Sequence, residues 1–126
     1  MKILILGAGR VGSSLASTLS KQQYEVSIVD LNKNRLQRLQ EDLDLATEVG
    51  HGSYPSTLKK VGADEETILL AVTNSDECNI TACQIAKSKF NVKKTICRLS
   101  DASYLNSLSV FGENNIDIAI SPENEV

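Results

Sequence analysis

Short apolar runs alternate with amphipathic stretches along the whole chain. Runs such as KILIL and TILLAV have the length of strands that are buried on both faces, and apolar residues between such runs recur at helical spacing. The predicted strands are Lys2–Leu6, Glu25–Val29, Leu45–Val49, Thr67–Val72, Thr95–Leu99 and Ile116–Ile120. The predicted helices are Val11–Gln22, Asn32–Asp42, a short one from Pro55 that stops at Gly62, Asp76–Phe90 and a short one at Tyr104–Phe111.

This alternation predicts an α/β fold with a doubly wound parallel sheet, the Rossmann architecture. Helices that connect parallel strands by right-handed crossovers cover both faces of such a sheet. We expect about six strands in the order 3-2-1-4-5-6, with a ligand at the carboxyl ends of the first and fourth strands, where the order reverses. The length of 126 residues predicts one domain that spans residues 1–126.

The first predicted strand runs into a glycine loop, GAGRVG, that precedes a helix. In the G-x-G-x-x-G pattern, Gly7 permits a tight turn, Gly9 lets the backbone approach a pyrophosphate, and Gly12 permits close packing of the helix on the strand. The helix N-terminus offers unpaired N–H groups and a partial positive charge to an anion. The alternative is a glycine turn that binds nothing.

The second predicted strand is followed by Asp30, 18 residues beyond Gly12. A carboxylate near this spacing accepts hydrogen bonds from both ribose hydroxyls and repels a 2′-phosphate, which favours NAD(H) over its phosphorylated form. The alternative is a simple N-cap for the following helix. Lys33 and Arg35 lie close by along the chain and are interpreted as solvated residues on a polar helix face.

Polar residues also follow the other predicted strands. The candidates are Gly52 and Ser53 after the third strand, Thr73 and Asn74 after the fourth, and Arg98 near the end of the fifth. Helix capping accounts for Thr73 and Asn74 as well as ligand binding does. Arg98 needs an anionic partner, which is either a ligand phosphate or a structural carboxylate. His51 is interpreted as a surface residue near the adenine.

Composition excludes several classes of function. The formal net charge is −3, from 13 basic and 16 acidic residues, which argues against a nucleic-acid partner. One histidine and three cysteines without a C-x-x-C pair provide no zinc ligand set and no catalytic triad, and they fit a reduced cytoplasmic compartment. No apolar run approaches the roughly 20 residues that cross a bilayer, so direct membrane insertion is not expected. We therefore expect ligand binding without turnover.

Beyond the glycine loop, three segments are more specific. GHGS at Gly50–Ser53, GAD at Gly62–Asp64 and AVTNSDE at Ala71–Glu77 resemble the N-terminal RCK (or KTN) domain family of bacterial Trk-type potassium-uptake regulators. The resemblance implies nucleotide contacts at Gly7, Gly9, Arg10, Val11, Asp30, Gly52, Ser53, Thr73, Asn74 and Arg98. It also implies that Asp76 and Asn79 face the phosphates or a neighbouring subunit.

The family also implies partners. Its domains form dimers or larger rings under a membrane potassium transporter, on the cytoplasmic side, and nucleotide state biases the gate. The preferred interpretation is such a regulator responding to NAD(H). One alternative is a regulator of the same type that responds to ATP and ADP. The other is the cofactor domain of a longer NAD-dependent dehydrogenase. The chain ends on a helix-start signal at Ser121-Pro122, so we expect a fragment of a longer protein.

Overall fold

Six parallel strands form one sheet in a computed structural model that describes residues 1–111 and 115–121. The strands are β1 (Lys2–Leu6), β2 (Glu25–Asp30), β3 (Ala46–Val49), β4 (Thr67–Ala71), β5 (Lys94–Arg98) and β6 (Ile118–Ile120). Their order is β3-β2-β1-β4-β5-β6, and each neighbouring pair is parallel. The predicted fold class and strand order are confirmed.

The helices connect these strands. They are α1 (Arg10–Lys21), α2 (Lys33–Asp42), α3 (Pro55–Lys60), α4 (Asp76–Phe90) and α5 (Ala102–Leu105), followed by a 3₁₀ turn at Leu108–Phe111. Among the described residues, none of these helices is long and apolar enough to cross a bilayer.

The prediction of one helix over Tyr104–Phe111 is wrong. The side chain of Asp101 accepts a hydrogen bond from the backbone N–H of Ser103 at 2.8 Å, and this cap starts α5 two residues earlier than predicted. α5 then ends after one turn, and a separate 3₁₀ turn follows. Apolar spacing alone did not indicate the cap or the break.

β1 is buried on both faces, as its apolar composition predicts. Leu4 and Leu6 pack with residues of α3 and α4 on one face of the sheet. Ile3 and Ile5 pack with residues of α1 and α2 on the other. Full burial of each such side chain contributes about 1.5–3 kcal/mol, so β1 anchors both halves of the core.

β6 begins at Ile118, two residues later than predicted, because side chains hold the segment before it. The carboxylate of Asp117 accepts a hydrogen bond from the backbone N–H of Thr95 at 2.8 Å and pairs with the ammonium of Lys87 at 2.8 Å. The Thr95 hydroxyl donates to the backbone carbonyl of Asn115 at 2.7 Å. These side-chain bonds fasten residues 115–117 to β5 and α4 just before β6 begins.

α1 crosses the end of β1 at very short range. A Cβ built on Gly12 would lie 1.7 Å from the carbonyl oxygen of Gly7, so only glycine fits there. Gly7 has a φ of +107°, and a Cβ on it would lie 2.9 Å from Cα of Thr73. By contrast, a Cβ on Gly9 would meet nothing within 4 Å. Two of the three glycines therefore serve packing, and the third leaves open space.

We predict that Gly12→Ala destabilises the fold and that Gly9→Ala does not. The new methyl group in Gly12→Ala must push α1 away from the Gly7 carbonyl, and overpacking of this kind costs about 3 kcal/mol. Gly9→Ala, the matched control, should change the free energy of unfolding by less than about 1 kcal/mol. Urea unfolding of both variants measures the difference, and equal stabilities would contradict this account of the loop.

Candidate functional site

Two adjoining clefts open at the carboxyl ends of the strands, where the strand order reverses. The first, of about 650 Å³, lies over β2, β3 and β4, and the second, of about 610 Å³, lies over the glycine loop, β4 and β5. Gly7, Asp30, Arg35, Thr73 and Asn74 line both clefts. Of the predicted site residues, only Gly12 and Ser53 line neither cleft. The remaining ones converge at one edge of the sheet.

The glycine loop presents backbone donors to the second cleft. Gly9 is the N-cap residue of α1 and supplies no side-chain cap, whereas Asn32 caps α2 and Ser75 caps α4 with their side chains. The first amides of α1 thus keep the unpaired N–H groups that attract an anion. Because Gly9 has open space where a Cβ would be, a ligand can approach this backbone closely.

Asp30, at the end of β2, is fixed by two backbone amides. Its Oδ1 accepts from the N–H of Ala8 at 2.7 Å, and its Oδ2 accepts from the N–H of Asn32 at 2.8 Å. Each carboxylate oxygen has a second acceptor position that can receive a ligand hydroxyl. The interpretation of Asp30 as a simple N-cap is wrong, since the Asn32 side chain accepts from the N–H groups of Asn34 and Arg35.

The loop after β4 is held from inside by Asn79. The Asn79 Oδ1 accepts from the N–H and the hydroxyl of Thr73 at 3.0 and 2.7 Å. Its Nδ2 donates to the carbonyls of Thr73 and Arg98 at 3.0 and 2.9 Å. The amide is fully buried and all four of its bonding positions are used. The expectation that Asn79 faces phosphates or a neighbouring subunit is therefore wrong.

Asp76 has a similar internal role. It is 9% exposed, and its carboxylate accepts hydrogen bonds from the backbone N–H groups of Ser100 and Asp101 at 2.9 Å each. These bonds tie the start of α4 to the loop after β5. Asp76 therefore positions the rim of the site, and its carboxylate is already engaged.

Thr73 and Asn74 have different surroundings, although both line the clefts. The Thr73 hydroxyl bonds to Asn79 and also accepts from the N–H of Ser75 at 3.2 Å, so it stabilises the loop. The Asn74 side chain makes no hydrogen bond to the part of the chain that the structure describes. Of the two, Asn74 is the side chain more available to a ligand.

The loop after β3 carries two stacked rings, one of which borders the first cleft. The rings of His51 and Tyr54 stack with centroids 4.4 Å apart and an interplanar angle of 13°. His51 lines the cleft, whereas Ser53 lies behind it with its hydroxyl 2.9 Å from the His51 Nδ1. The sequence predicts a ligand contact at Ser53 and a surface position near the adenine for His51. In the structure, the half-buried His51 lines the first cleft and Ser53 does not.

Gly52 faces the core next to this pair. A Cβ on it would lie 3.2 Å from the Cβ of Leu6, so its lack of a side chain brings the turn after β3 close to β1. The narrow turn places the His51 ring at the mouth of the first cleft.

The walls of the two clefts carry more positive than negative charge. Among the described residues that line them, the basic side chains are those of Arg10, Lys33, Arg35 and Arg98, and the one carboxylate is that of Asp30. The Arg98 guanidinium donates to the carbonyl of Thr73 at 3.2 Å, which orients it along the second cleft. Lys33 and Arg35 are exposed on α2, as expected, and both also line the clefts. This charge balance favours an anionic ligand, even though the chain as a whole is acidic.

The opposite side of the α4 N-terminus is acidic. Asp76, Glu77, Asp101 and Tyr104 border a shallow depression there. The pKa of Tyr104 is raised, mainly by its hydrogen bond to Glu77 and further by burial and by the nearby carboxylates. A phosphate group is repelled from this depression and favoured on the glycine-loop side. Within the described residues, no group of three or more His, Cys, Asp or Glu side chains is arranged to hold a metal ion.

We predict that Asn79→Ala destabilises the protein by about 3 kcal/mol. The variant removes the four hydrogen bonds that Asn79 makes to Thr73 and Arg98, and losses of this kind cost about 1–3 kcal/mol each when water cannot replace the bond. Asn34→Ala, an exposed asparagine on α2, is the matched control and should have little effect. Thermal and urea unfolding test this. Similar stabilities of the two variants would show that the buried amide does not support the loop.

Solved structures with this fold include proteins with bound nucleotides. The GsuK channel bound to NAD superposes with a TM-score of 0.74 at 18% identity, over 96% of this chain and 21% of that one. The Kef C-terminal domain of Shewanella denitrificans in its AMP-bound form has a TM-score of 0.80 at 18% identity, over 99% of this chain and 74% of that one. At these identities the likeness shows the fold alone.

Some relatives are more similar to this chain in sequence than these solved structures are. The Trk system potassium uptake protein TrkA of Halomonas elongata is 41% identical over 128 residues, which cover all of this chain and 28% of that protein. The chain thus spans less than a third of the length of such relatives. The family model described as the TrkA-N domain matches residues 3–122. The chain therefore belongs to the TrkA-N domain family.

Proposed function

We propose that this chain binds NAD(H) across the two clefts and regulates a membrane potassium transporter of the Trk type without catalysing a reaction. The observation that carries the proposal is the combination of the uncapped start of α1, the open space at Gly9 and the oriented carboxylate of Asp30. These are the groups that a pyrophosphate and an adenosine ribose require.

Each part of a dinucleotide has a complementary surface. The pyrophosphate would lie on the amides that begin α1, between the guanidinium groups of Arg10 and Arg98. The adenosine ribose would donate to Asp30, and the adenine would lie in the first cleft beside the His51 ring. The second half of the ligand would occupy the second cleft, next to Val11.

The regulatory role rests on the relatives. The Halomonas protein is named for potassium uptake, and the GsuK structure is that of a channel with NAD bound. We infer that the full-length protein acts in the cytoplasm as a dimer or a larger ring, held at the membrane through its transporter. A bound nucleotide changes such an assembly only if it binds two of its conformations with different affinities, typically by about 5–150-fold.

A response to ATP and ADP is the second candidate. The first cleft alone, with Asp30 and His51, offers the contacts that an adenosine needs, and the Kef domain is an AMP-bound example of the same fold. A mononucleotide would leave much of the second cleft unfilled. The two adjoining clefts therefore favour the dinucleotide.

Calorimetric titration of the chain with NADH, NAD⁺, ATP and ADP tests the proposal. We expect binding of NADH or NAD⁺ with one ligand per chain. Binding of ATP or ADP without either dinucleotide would replace the proposed ligand. The absence of binding by all four nucleotides would refute the nucleotide site altogether.

We predict that Asp30→Ala weakens NADH binding by about 1–3 kcal/mol, because charge-assisted hydrogen bonds to the ribose are lost. Asp44→Ala removes an equal charge from an exposed position outside the clefts and serves as the control. Both variants are first checked for folding by circular dichroism, since Asp30 also holds the N–H of Ala8. Unchanged affinity in a folded Asp30→Ala variant would remove Asp30 from the site.

A further inference from the structure

Three arginines meet beside the glycine loop, at a third cavity that adjoins the two clefts already described. Arg10, Arg35 and Arg38 line this cavity of about 300 Å³, together with backbone and small side chains of the loop and α1. None of the described residues that line this cavity is acidic. Arg35 is common to all three cavities, so the third one adjoins the ribose side of the first two.

The fold holds these guanidinium groups together. Arg35 and Arg38 are three residues apart on α2 and therefore share one face, next to the buried anchor Leu36. Arg10 is the first residue of α1 and approaches from the other side. Repulsion among three positive charges opposes this arrangement, and a dianion between them would relieve it.

The three side chains are available to a ligand. All three residues are exposed, and within residues 1–111 and 115–121 none of their guanidinium groups takes part in a hydrogen bond or ion pair. Arginine presents a planar array of donors that matches the oxygens of a phosphate group. The chemistry of the cavity therefore fits a phosphomonoester.

We propose that this cavity, the arginine site, binds the 2′-phosphate of NADP(H), so that the protein accepts the phosphorylated dinucleotide as well as NAD(H). The proposal rests on the proposed function, because it assumes an adenosine ribose at Asp30. A phosphate on the 2′ oxygen of that ribose would leave Asp30 toward α2, where Arg35 borders the ribose position and Arg38 lies beyond it.

The carboxylate of Asp30 is the main argument against a 2′-phosphate, and the local charges outweigh it. Both of its oxygens already accept a backbone N–H, at 2.7 and 2.8 Å, which partly compensates its charge. Even with Arg10 shared with the pyrophosphate, Arg35 and Arg38 outnumber the one carboxylate, and a phosphomonoester carries about −1.5 to −2 at neutral pH. The sequence-based preference for NAD(H) took Arg35 as a solvated residue near Asp30 and gave Arg10 and Arg38 no role at a 2′-phosphate.

Two matched ligand pairs isolate the 2′-phosphate. NADPH is compared with NADH, and adenosine 2′,5′-bisphosphate with 5′-AMP, by calorimetry on the 126-residue chain. We expect NADPH to bind within about 10-fold of NADH at low salt and to weaken more steeply as salt is added, since its extra charges are screened.

The Arg35→Gln/Arg38→Gln double variant tests the residues. It should weaken NADPH by at least about 10-fold more than it weakens NADH, because the 2′-phosphate forms charge-assisted hydrogen bonds that NADH lacks. Lys59→Gln/Lys89→Gln removes the same charge from exposed positions that line none of these cavities and should leave the NADPH affinity unchanged.

The outcomes separate this proposal from the previous one. The arginine site is refuted if NADPH binds more than about 100-fold more weakly than NADH. It is also refuted if the arginine variant weakens the binding of NADPH and NADH equally. In both cases NADH still binds the parent chain, so the NAD(H) site stands. If neither NADH nor NADPH binds, the nucleotide site itself is refuted.

Inorganic phosphate serves as the free-anion probe. One outcome is that phosphate raises the melting temperature of the parent chain but not that of the arginine variant. If NADPH does not bind in that case, the cavity binds a free anion and its assignment to the 2′-phosphate is overturned.

Discussion

The contact between α1 and the end of β1 is the constraint on which the site depends. With no side chain at Gly12, the helix backbone lies directly against the Gly7 carbonyl. This fixes the first turn of α1 over the carboxyl ends of β1 and β4. Because Gly9 supplies no side-chain cap, the amides of that turn remain available. One packing requirement therefore both anchors the helix and presents its positive end to a ligand.

The polar residues around this contact divide into two groups. Asn79 and Asp76 are buried, and their side chains bond to backbone groups of neighbouring loops. Arg35 and Asn74 line the clefts without such bonds, so a ligand can engage them at little cost to the fold. Sequence position does not distinguish the groups, because all four lie within eight residues of a strand end. Burial and hydrogen bonding distinguish them.

The sequence predicts the strand order and the place of the clefts well, since both follow from local patterns. Alternating apolar runs define the sheet, and the glycine spacing defines the loop. The sequence predicts less well which of two nearby residues faces a cleft. His51 and Ser53 are an example, because their positions depend on the turn that Gly52 makes against Leu6. The sequence also does not indicate that the exposed Arg35 borders the clefts, because this depends on the cap at Asn32 and on the packing of α2.

Residues that contact both the scaffold and the cleft are the ones through which a ligand could alter the shape of the protein. Asp30 holds the glycine loop through Ala8, and Arg98 holds the loop after β4 through the Thr73 carbonyl. A ligand that binds these two side chains would compete with or reinforce those bonds. The energy of binding is then coupled to the arrangement of the loops that follow β1 and β4. Contacts at Gly9, by contrast, provide affinity without such coupling.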